Sequence, residues 1–285
     1  MTVGPSRSNE ESMDGSPRPE QPSLQVRVDA LAWYHSFDLP GGISTSGLFD
    51  HRKMVNKLPI PASLAGRRCL DLAASDGFWS FELARRGAAE VVSVDLPDAA
   101  QQDYADPSRD SSGRAAGTGR ANQAFALVKE ATGLNVERVD GSVYDLDQLG
   151  IGRFDYVFMG NVLLHLRDPI RALQQVRSIT KGEFLSFEAI SLPQTVLRPL
   201  TPTGQFSLSG EENRFWTPNL RGHRRMVEAA GFEVVAGGGI VLQPLGRSWP
   251  RWPPHRPRSL HELTFWLFTR QFGAASGWVS ARPRN

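Results

Sequence analysis

The chain has 285 residues, enough for one large domain with additional segments, and 40% of them are apolar, which supports a sizeable core. Lys and Arg (32) nearly balance Asp and Glu (30), so the net charge of +2 does not by itself indicate a polyanionic partner. The single cysteine, Cys69, excludes an intramolecular disulfide and a zinc site built from cysteines. The sequence contains no run of about 18 apolar residues, so it predicts no membrane helix, and the N-terminus does not resemble a signal peptide. We therefore expect a soluble, cytoplasmic protein without a membrane partner.

Composition divides the chain into three regions. Residues 1–25 are rich in Pro, Ser and Glu and are expected to be a disordered leader. Residues 26–66 contain many turn residues and several aromatic ones, and we interpret them as an N-terminal cap that either covers a ligand site or fills an apolar groove. Residues 67–285 are predicted to form the main domain. Within it, a Pro-, Thr-, Ser- and Gly-rich insertion at about 191–216 is interpreted as a lid.

The stretch Cys69 to Gly87 (CLDLAASDGFWSFELARRG) is the one around which the domain is organised. It predicts a strand ending at Asp71, a turn of small residues, and an amphipathic helix from near Phe78. A second strand, Glu90 to Leu96, follows and ends in another acid, Asp95. This order is typical of the nucleotide-binding unit of an open parallel sheet, in which backbone N–H groups at a helix N-terminus meet the ligand.

The rest of the chain continues to alternate between predicted strands and helices. Strands are expected at 135–140, 154–159, 182–190 and 232–242, helices at 121–132, from Pro169 to about Thr180 and from Thr217-Pro218 to Gly231, and a final ordered element at 263–270. Residues 97–120 are rich in Asp, Ser and Gly and predict a mobile excursion. Near-continuous apolar runs suit strands buried on both faces, so we expect an α/β fold with a parallel sheet covered by helices.

The residues after the first strand restrict the ligand. A dinucleotide site needs the glycines of G-x-G-x-x-G around a pyrophosphate, whereas this turn follows the pattern Asp71-x-Ala73-x-Ser75-x-Gly77 with a single glycine. A carboxylate before the turn repels a pyrophosphate and attracts an ammonium or sulfonium group. The pattern therefore favours a cationic aminoacyl cofactor over NAD.

In these motifs the chain resembles the class I S-adenosylmethionine-dependent methyltransferases. It is most similar to the branch that contains the tRNA wobble-uridine (carboxy)methyltransferases and many small-molecule enzymes. The resemblance covers roughly Leu31 to Val235 and is carried, in order, by WYHSFDLPGGISTSGLFDHR, CLDLAASDGFWSFELARRGA, VVSVDL, DGSVYDL, FDYVFMGNVLLHLRDPIRAL and RFWTPNLRGHRRMVEAAGF. It implies a Rossmann-like seven-stranded methyltransferase sheet with an N-terminal cap and a lid insertion.

The resemblance also implies which residues bind the cofactor. They are, from the methionine end to the adenine, Asp71, Ala73, Ser75, Gly77, Asn161, Asp95, Leu96, Ser142 and Val143. Asp95 would accept both ribose hydroxyls, because a carboxylate matches a vicinal diol. Leu164 stands where the wobble-uridine enzymes carry a tyrosine that belongs to their recognition of a carboxylated cofactor, so ordinary S-adenosylmethionine is expected.

Methyl transfer is an in-line displacement that depends on positioning and sometimes on a general base. His165, after the fourth strand, and His35, in the cap, are the candidate bases, although His165 could also only pack or stabilise the start of the following helix. Trp33, Phe206 and Trp216 are candidate contacts for an apolar or planar acceptor. Cys69, Asp155 and Glu188 are expected to be structural, and no spacing of His, Asp or Glu indicates a metal ion.

We therefore expect methyl transfer from S-adenosylmethionine to a small organic acceptor, in secondary metabolism. A tRNA-modifying methyltransferase and a non-catalytic scaffold that keeps the fold remain alternatives, whereas the missing glycines disfavour an NAD-dependent oxidoreductase. Seven arginines face one acid, Glu262, near the C-terminus: Arg247, Arg251, Arg256, Arg258, Arg270, Arg282 and Arg284. They could contact phosphate, but a solvated surface is the preferred interpretation, so nucleic acid is the less favoured partner. The sequence does not indicate an oligomeric state.

Overall fold

The computed structural model describes residues 22–98, 101–103, 112–206, 214–251 and 260–284. Most of the predicted leader at 1–25 therefore lies outside the described residues, as do parts of the predicted excursion and of the predicted lid.

The N-terminal segment contains one short α-helix, four short strands and three short 3-10 helices. The α-helix is α1 (Leu24–Asp29), and the strands are β1 (Trp33–His35), β2 (Asp38–Leu39), β3 (Ile43–Ser44) and β4 (Gly47–Phe49). The 3-10 helix directly after β4 is His51–Lys53. β1 pairs in parallel with β4, and β2 forms a hairpin with β3. The Asp50 N–H donates to the carbonyl of Pro244 at 2.9 Å, and the Gly246 N–H donates to the carbonyl of Leu48 at 2.7 Å. These bonds attach the segment to a C-terminal part of the chain.

The strand, turn, helix and strand predicted from Cys69 onward are present. β5 (Arg68–Leu72) leads into α2 (Phe78–Arg85), and β6 (Glu90–Asp95) lies parallel to β5. α3 (Ser112–Thr132) begins earlier than the predicted 121–132, within the predicted excursion, where arginine and alanine favour a helix despite the glycines. The prediction of an irregular segment up to residue 120 is therefore wrong for its last part.

The middle of the chain follows the predicted order. It forms β7 (Glu137–Asp140), β8 (Phe154–Gly160), α4 (Pro169–Ile179) and β9 (Thr180–Ala189). α4 begins as expected, because the Asp168 side chain accepts the Arg171 N–H at 3.0 Å and Pro169 occupies the first turn, where no N–H is needed.

The segment after β9, which the sequence predicts to be a lid, contains regular secondary structure. It forms α5 (Leu192–Leu197) and a hairpin of β10 (Gly204–Phe206) with β11 (Trp216–Pro218), followed by α6 (Leu220–Ala229). The prediction that Thr217-Pro218 opens a helix is wrong, because Pro218 ends β11. Asn219 caps α6 instead: its side-chain oxygen accepts the Gly222 N–H at 2.7 Å.

The C-terminal region contains the largest departure from prediction. It forms β12 (Phe232–Gly237), β13 (Val241–Gln243), α7 (Leu260–Phe272) and β14 (Ala274–Pro283). The single strand predicted at 232–242 is thus two strands separated by glycines. The element predicted at 263–270 lies inside α7 and is not the final one, because β14 follows it. β14 begins with small residues and carries Gly277, a composition with weak strand propensity.

The strands form one twisted sheet in the order β12-β14-β9-β8-β5-β6-β7, with β13 beside β14. β5 to β9 are parallel, and β14 runs antiparallel to both β9 and β12. The seven-strand path and the helices on both faces confirm the expected Rossmann-like α/β fold. In such sheets ligands bind beyond the carboxyl ends of the parallel strands, here the ends of β5, β6 and β8.

The core has two layers, one on each face of the sheet. Side chains along a strand alternate between the layers, as the two-residue period requires. Tyr156 and Phe158 of β8 pack with α2, α3 and the N-terminal segment, whereas Val157 and Met159 pack with α4 and α6. The N-terminal segment therefore belongs to one hydrophobic layer of the domain.

Gly77 lies where the turn meets α2, with a φ of +86°, and a Cβ there would be 2.5 Å from Phe125 Cδ2 and 2.8 Å from Phe81 Cε2. Gly87 has a similar φ of +81°, but no atom of the described residues lies within 4 Å of the position that a Cβ would take there. We predict that Gly77→Ala lowers the free energy of unfolding by roughly 2–5 kcal/mol, because it adds overpacking to backbone strain. Gly87→Ala, which adds strain alone, is the matched control. Equal losses in chemical denaturation would contradict the packing argument.

Candidate active site

A cavity of about 470 Å³ opens at the carboxyl ends of β5, β6 and β8. Ten of the predicted site residues line it: His35, Asp71, Ala73, Ser75, Asp95, Leu96, Ser142, Val143, Asn161 and His165. Four do not: Trp33, Gly77, Phe206 and Trp216. We call the part lined by Asp95, Leu96, Arg138 and Ser142 the polar side. The part lined by Tyr34, His35, His51, Trp79 and Phe158 is called the aromatic side. The turn after β5 lies between the two.

The turn after β5 has an unusual backbone. Ala73 and Ser75 adopt positive φ values of 54° and 52°, a region that side chains with a Cβ enter at a cost of about 1–3 kcal/mol each. Hydrogen bonds hold the strained conformation, since the Ala73 N–H donates to the Val94 carbonyl at 2.8 Å and the Ser75 N–H donates to Asp95 Oδ2 at 2.7 Å. Small side chains therefore occupy the two positions at which the turn bends sharply beside the cavity.

Asp95, at the end of β6, organises the polar side. Besides the bond from Ser75, its Oδ1 accepts the Leu96 N–H at 2.8 Å, and Arg138 Nη2 lies 3.4 Å from Oδ2. Burial raises the pKa of the Asp95 carboxyl, while Arg138 and the two backbone N–H groups oppose that rise. Arg138 also donates to the Ser75 carbonyl at 2.8 Å, so it ties β7 to the turn. The sequence did not single out Arg138, which is one basic residue in a short strand.

Asp71, at the end of β5, is almost fully buried beneath the turn. The Ser80 hydroxyl donates to Asp71 Oδ2 at 2.5 Å, and the Ser93 hydroxyl donates to Ser80 at 2.6 Å. Burial raises the pKa of Asp71 to about 7; the Ser80 bond opposes this rise and the charge of Asp95 adds to it. Near neutral pH the negative charge of Asp71 is therefore partly neutralised by a proton.

The aromatic side consists of rings from the N-terminal segment, α2 and β8 that pack on one another at tilted angles. The His35 and His51 ring centroids are 4.7 Å apart, His51 and Trp79 are 5.4 Å apart, and Trp79 and Phe158 are 4.7 Å apart. Burial, and then the neighbouring His35, lowers the pKa of His51 far below its usual range, so this ring is neutral. His51 and Trp79 were missed in the sequence because their places are set by the packing of distant segments.

His35 contacts a carboxylate of the turn. Its Nδ1 lies 2.5 Å from Asp76 Oδ1, and both groups are buried. Asp76 Oδ2 accepts two backbone N–H groups, from Tyr34 at 2.9 Å and from His35 at 2.7 Å. The N-terminal segment is thus fastened to the turn residue that directly precedes Gly77.

Asn161, after β8, adopts a positive φ of 57° and pairs side chain to side chain with Gln243 of β13. Asn161 Nδ2 donates to Gln243 Oε1 at 3.0 Å, and Gln243 Nε2 donates to Asn161 Oδ1 at 3.1 Å. Gln243 also accepts from His51 Nε2 at 2.9 Å. A buried glutamine of the C-terminal region therefore positions two residues of the cavity wall, which local sequence patterns could not show.

Three predicted acceptor contacts lie away from the cavity. Trp33 is buried in the core, where its indole N–H donates to the Val28 carbonyl at 3.0 Å. Phe206 and Trp216 pack on each other in the β10–β11 hairpin with ring centroids 4.9 Å apart. Gly77, the fourth predicted residue outside the lining, shapes the turn through its backbone instead. The structure therefore does not bring the three aromatic residues to the cavity, because their rings pack against other parts of the protein.

The residues expected to be structural also lie outside the cavity. Burial raises the pKa of the Cys69 thiol to about 12, which keeps it protonated and unreactive. Asp155 accepts the Arg68 N–H at 2.8 Å and pairs with Lys181 at 2.9 Å. Glu188 is buried and accepts the Leu163 N–H at 3.1 Å, and burial raises its pKa well above the usual range.

Two of the C-terminal arginines among the described residues have partners within the protein. Arg282 pairs with Glu183 of β9 at 3.2 Å, and Arg270 donates to the carbonyl of Arg251. Arg256 and Arg258 lie outside the described residues. Within the described ranges, no group of three or more His, Cys, Asp or Glu side chains is arranged to hold a metal ion. In that same part of the chain, every helix is too short or too polar to span a bilayer.

Comparisons with known proteins identify the fold and the family of the chain. The chain is 26% identical over 178 residues to a tRNA U34 carboxymethyltransferase from Alcanivorax borkumensis, a match of 62% of this chain that spans only about half (48%) of that protein. Two solved structures share the fold. The N-terminal domain of EvdMO1, solved in the presence of SAH and D-fucose, is 18% identical with a TM-score of 0.53, covering 92% of this chain and 96% of that one. A putative methyltransferase from Bacillus halodurans is 16% identical with a TM-score of 0.51, covering 82% and 99%.

A family model described as a methyltransferase domain matches residues 50–237. This range contains β5 to β9, the turn, and nearly all of the cavity wall apart from the first strands. Because the match spans well over half of the sequence, the chain belongs to the methyltransferase domain family and, as its motifs indicated, is one of the S-adenosylmethionine-dependent methyltransferases.

Proposed function

We propose that this chain transfers a methyl group from S-adenosylmethionine to a small organic acceptor in secondary metabolism. The observation that carries the proposal is one cavity with a polar side and an aromatic side, separated by the turn after β5. Its volume falls within the range of small-molecule sites, roughly 300–1,000 Å³. The polar side suits a nucleoside, and the aromatic side suits an apolar or planar acceptor.

The residues present fit the cofactor. On the polar side, Asp95 offers a carboxylate to the ribose hydroxyls, while Leu96, Ser142 and Val143 lie where the adenine would be held. Asp71 and the turn of Ala73 and Ser75 would hold the methionine end, and Asn161 would lie on the side of the methyl group. When bound, S-adenosylmethionine supplies a methyl group on a positively charged sulfur that is open to in-line displacement. The protein contributes binding, alignment and the exclusion of water.

A tRNA-modifying methyltransferase is the second candidate, because the curated relative acts on tRNA U34 according to its name. The two candidates differ in their partner. A tRNA enzyme neutralises phosphates, so its affinity for tRNA falls steeply with salt. A small-molecule enzyme shows no such binding at physiological salt.

The proposal is tested with the purified full chain. Mass spectrometry of the co-purifying ligand should identify S-adenosylmethionine or S-adenosylhomocysteine, and a screen of small aromatic and hydroxylated compounds should find an acceptor that gains the mass of one CH2 group. Titration with tRNA at two salt concentrations is run in parallel. Salt-sensitive tRNA binding with tRNA methylation would replace the small-molecule proposal. No heat of binding with millimolar S-adenosylmethionine would leave only the non-catalytic scaffold.

Asp95→Asn tests the ribose contact. We expect the affinity for S-adenosylhomocysteine to fall by about 1–3 kcal/mol, or about 5- to 150-fold, because a charged hydrogen-bond acceptor is lost. Asp140→Asn is the matched control, since Asp140 is the register partner of Asp95 on β7 but is exposed and outside the cavity lining. Isothermal titration calorimetry measures both variants. An unchanged affinity in Asp95→Asn would remove Asp95 from the cofactor site.

The raised pKa of Asp71 predicts pH-dependent cofactor binding. The carboxyl is ionised above pH 7 and protonated below it, and only the ionised form attracts the ammonium group of the ligand. The affinity for S-adenosylhomocysteine should therefore rise by up to about tenfold per pH unit below pH 7 and level off above it. In Asp71→Asn this rise should disappear. The same pH profile in both proteins, measured by calorimetry, would show that Asp71 does not contribute the charge.

A further inference from the structure

Two histidines of the cavity wall differ from each other in their hydrogen bonding. His51 Nε2 is bound to Gln243, and its Nδ1 is enclosed without a partner among the described residues. His35 is bound through Nδ1 to Asp76, and its Nε2 makes no hydrogen bond to any described residue, although it is not enclosed as His51 Nδ1 is. His35 therefore lines the cavity with one ring nitrogen fixed by a carboxylate and a second that is neither enclosed nor hydrogen-bonded to a described residue.

The partners of Asp76 determine where the proton on His35 lies. Asp76 Oδ2 accepts two backbone N–H groups, so the carboxylate acts only as an acceptor. The imidazole nitrogen that faces it must then carry a hydrogen, which assigns the proton to Nδ1 and leaves the lone pair on Nε2. A histidine held in this tautomer by a buried carboxylate can take up a second proton on Nε2, and the carboxylate stabilises the resulting cation.

The groups around His35 allow this proton uptake. Asp76 faces it from the turn, His51 from the short 3-10 helix after β4, and Tyr34 from β1, while Asp71 and His165 line the same cavity. Burial keeps His51 neutral, so His51 adds no positive charge beside the His35 ring. The Asp76 carboxylate, at 2.5 Å from Nδ1, is the charged group in direct contact with the ring, while the charge of Arg214 acts on the adjoining Tyr34.

The position of the pair relative to the turn suggests its role. Asp76 belongs to the same turn as Ala73 and Ser75, which under the proposed function hold the methionine end of the cofactor. His35 lies on the aromatic side, where the acceptor would enter. A base that is hydrogen-bonded to the turn after β5 and that faces the acceptor keeps a constant position relative to both reactants.

We propose that His35, oriented by Asp76, is the general base of the reaction and that the acceptor is a hydroxyl compound that must lose its proton. The oxygen of the acceptor forms a bond to the methyl carbon as the carbon–sulfur bond breaks and its electron pair stays on sulfur. The hydroxyl proton moves to His35 Nε2 and is later released to solvent. Asp76 is a positioning residue, because it acts through His35. This inference rests on the proposed function.

The first test needs no acceptor. In protein labelled with 15N-histidine, the His35 signals should show Nδ1 protonated and Nε2 bare in the neutral ring. Asp76→Asn should lose the fixed tautomer, because the amide can donate as well as accept. His35→Asn assigns the signals by their disappearance. A proton on Nε2 in the neutral ring would overturn the proposal.

The second test uses the first hydroxyl acceptor found in the screen under Proposed function. His35→Asn should lower kcat by about 100- to 10,000-fold, and the residual rate should rise about tenfold per pH unit as hydroxide replaces the base. KM for the acceptor and the affinity for S-adenosylhomocysteine should change little, and Asp76→Asn should lower kcat with the same pattern. Methyl transfer by His35→Asn at the wild-type rate would refute the role of His35.

Thr45→Val is the matched control for loosening of the N-terminal segment. The buried Thr45 hydroxyl donates to the His35 carbonyl at 3.1 Å and accepts the Phe37 N–H at 2.9 Å, but Thr45 does not line the cavity. This variant should unfold more easily and keep most of its kcat. An equal loss of kcat in Thr45→Val and His35→Asn would show that packing, not proton transfer, explains the effect. By contrast, failure of the wild-type protein to bind S-adenosylhomocysteine would refute the proposed function itself.

Discussion

Two carboxylates that accept backbone N–H groups hold the turn between β5 and α2. Asp95 binds the turn from β6 through Ser75, and Asp76, within the turn, binds the N-terminal segment through Tyr34 and His35. Hydrogen bonds to charged groups contribute about 1.5–3 kcal/mol each, while each residue with positive φ costs about 1–3 kcal/mol. Three such bonds therefore offset the strain at Ala73 and Ser75. The bonds from the Ala73 N–H to the Val94 carbonyl and from Arg138 to the Ser75 carbonyl add further support to this conformation.

The same turn joins the parts of the molecule that contribute to the cavity. The sheet reaches it through β5 and β6, β7 reaches it through Arg138, and the N-terminal segment reaches it through the bonds to Asp76. The C-terminal region is connected less directly, since Gln243 holds His51 and Asn161. Segments far apart in sequence thus meet around a few buried polar groups. Loss of one of them is expected to affect the cavity more than the hydrophobic layers.

Charge and aromatic character are separated within the cavity. Burial raises the pKa of both Asp71 and Asp95, and hydrogen-bond donors oppose this rise: Ser80 at Asp71, and Arg138 with two backbone N–H groups at Asp95. The cofactor of the proposed function would add a cation and further donors. On the aromatic side, burial keeps His51 neutral and His35 is paired with Asp76. Under the proposed function, one cavity would therefore hold a charged cofactor next to an apolar acceptor with one polar group.

The local sequence determined the parallel part of the sheet and the turn after β5. The apolar runs of β8 and β9, the acids Asp71 and Asp95 at strand ends, and the Asp168 cap of α4 are short-range signals, so their interpretation needed no distant contact. Tertiary structure alone decided the rest. β14 carries weak strand propensity and forms because β9 and β12 flank it on both sides. Hydrogen-bond partners that are 41 to 192 positions away in sequence hold Asp76, His51 and Gln243 at the site. No local sequence pattern acts over such a separation.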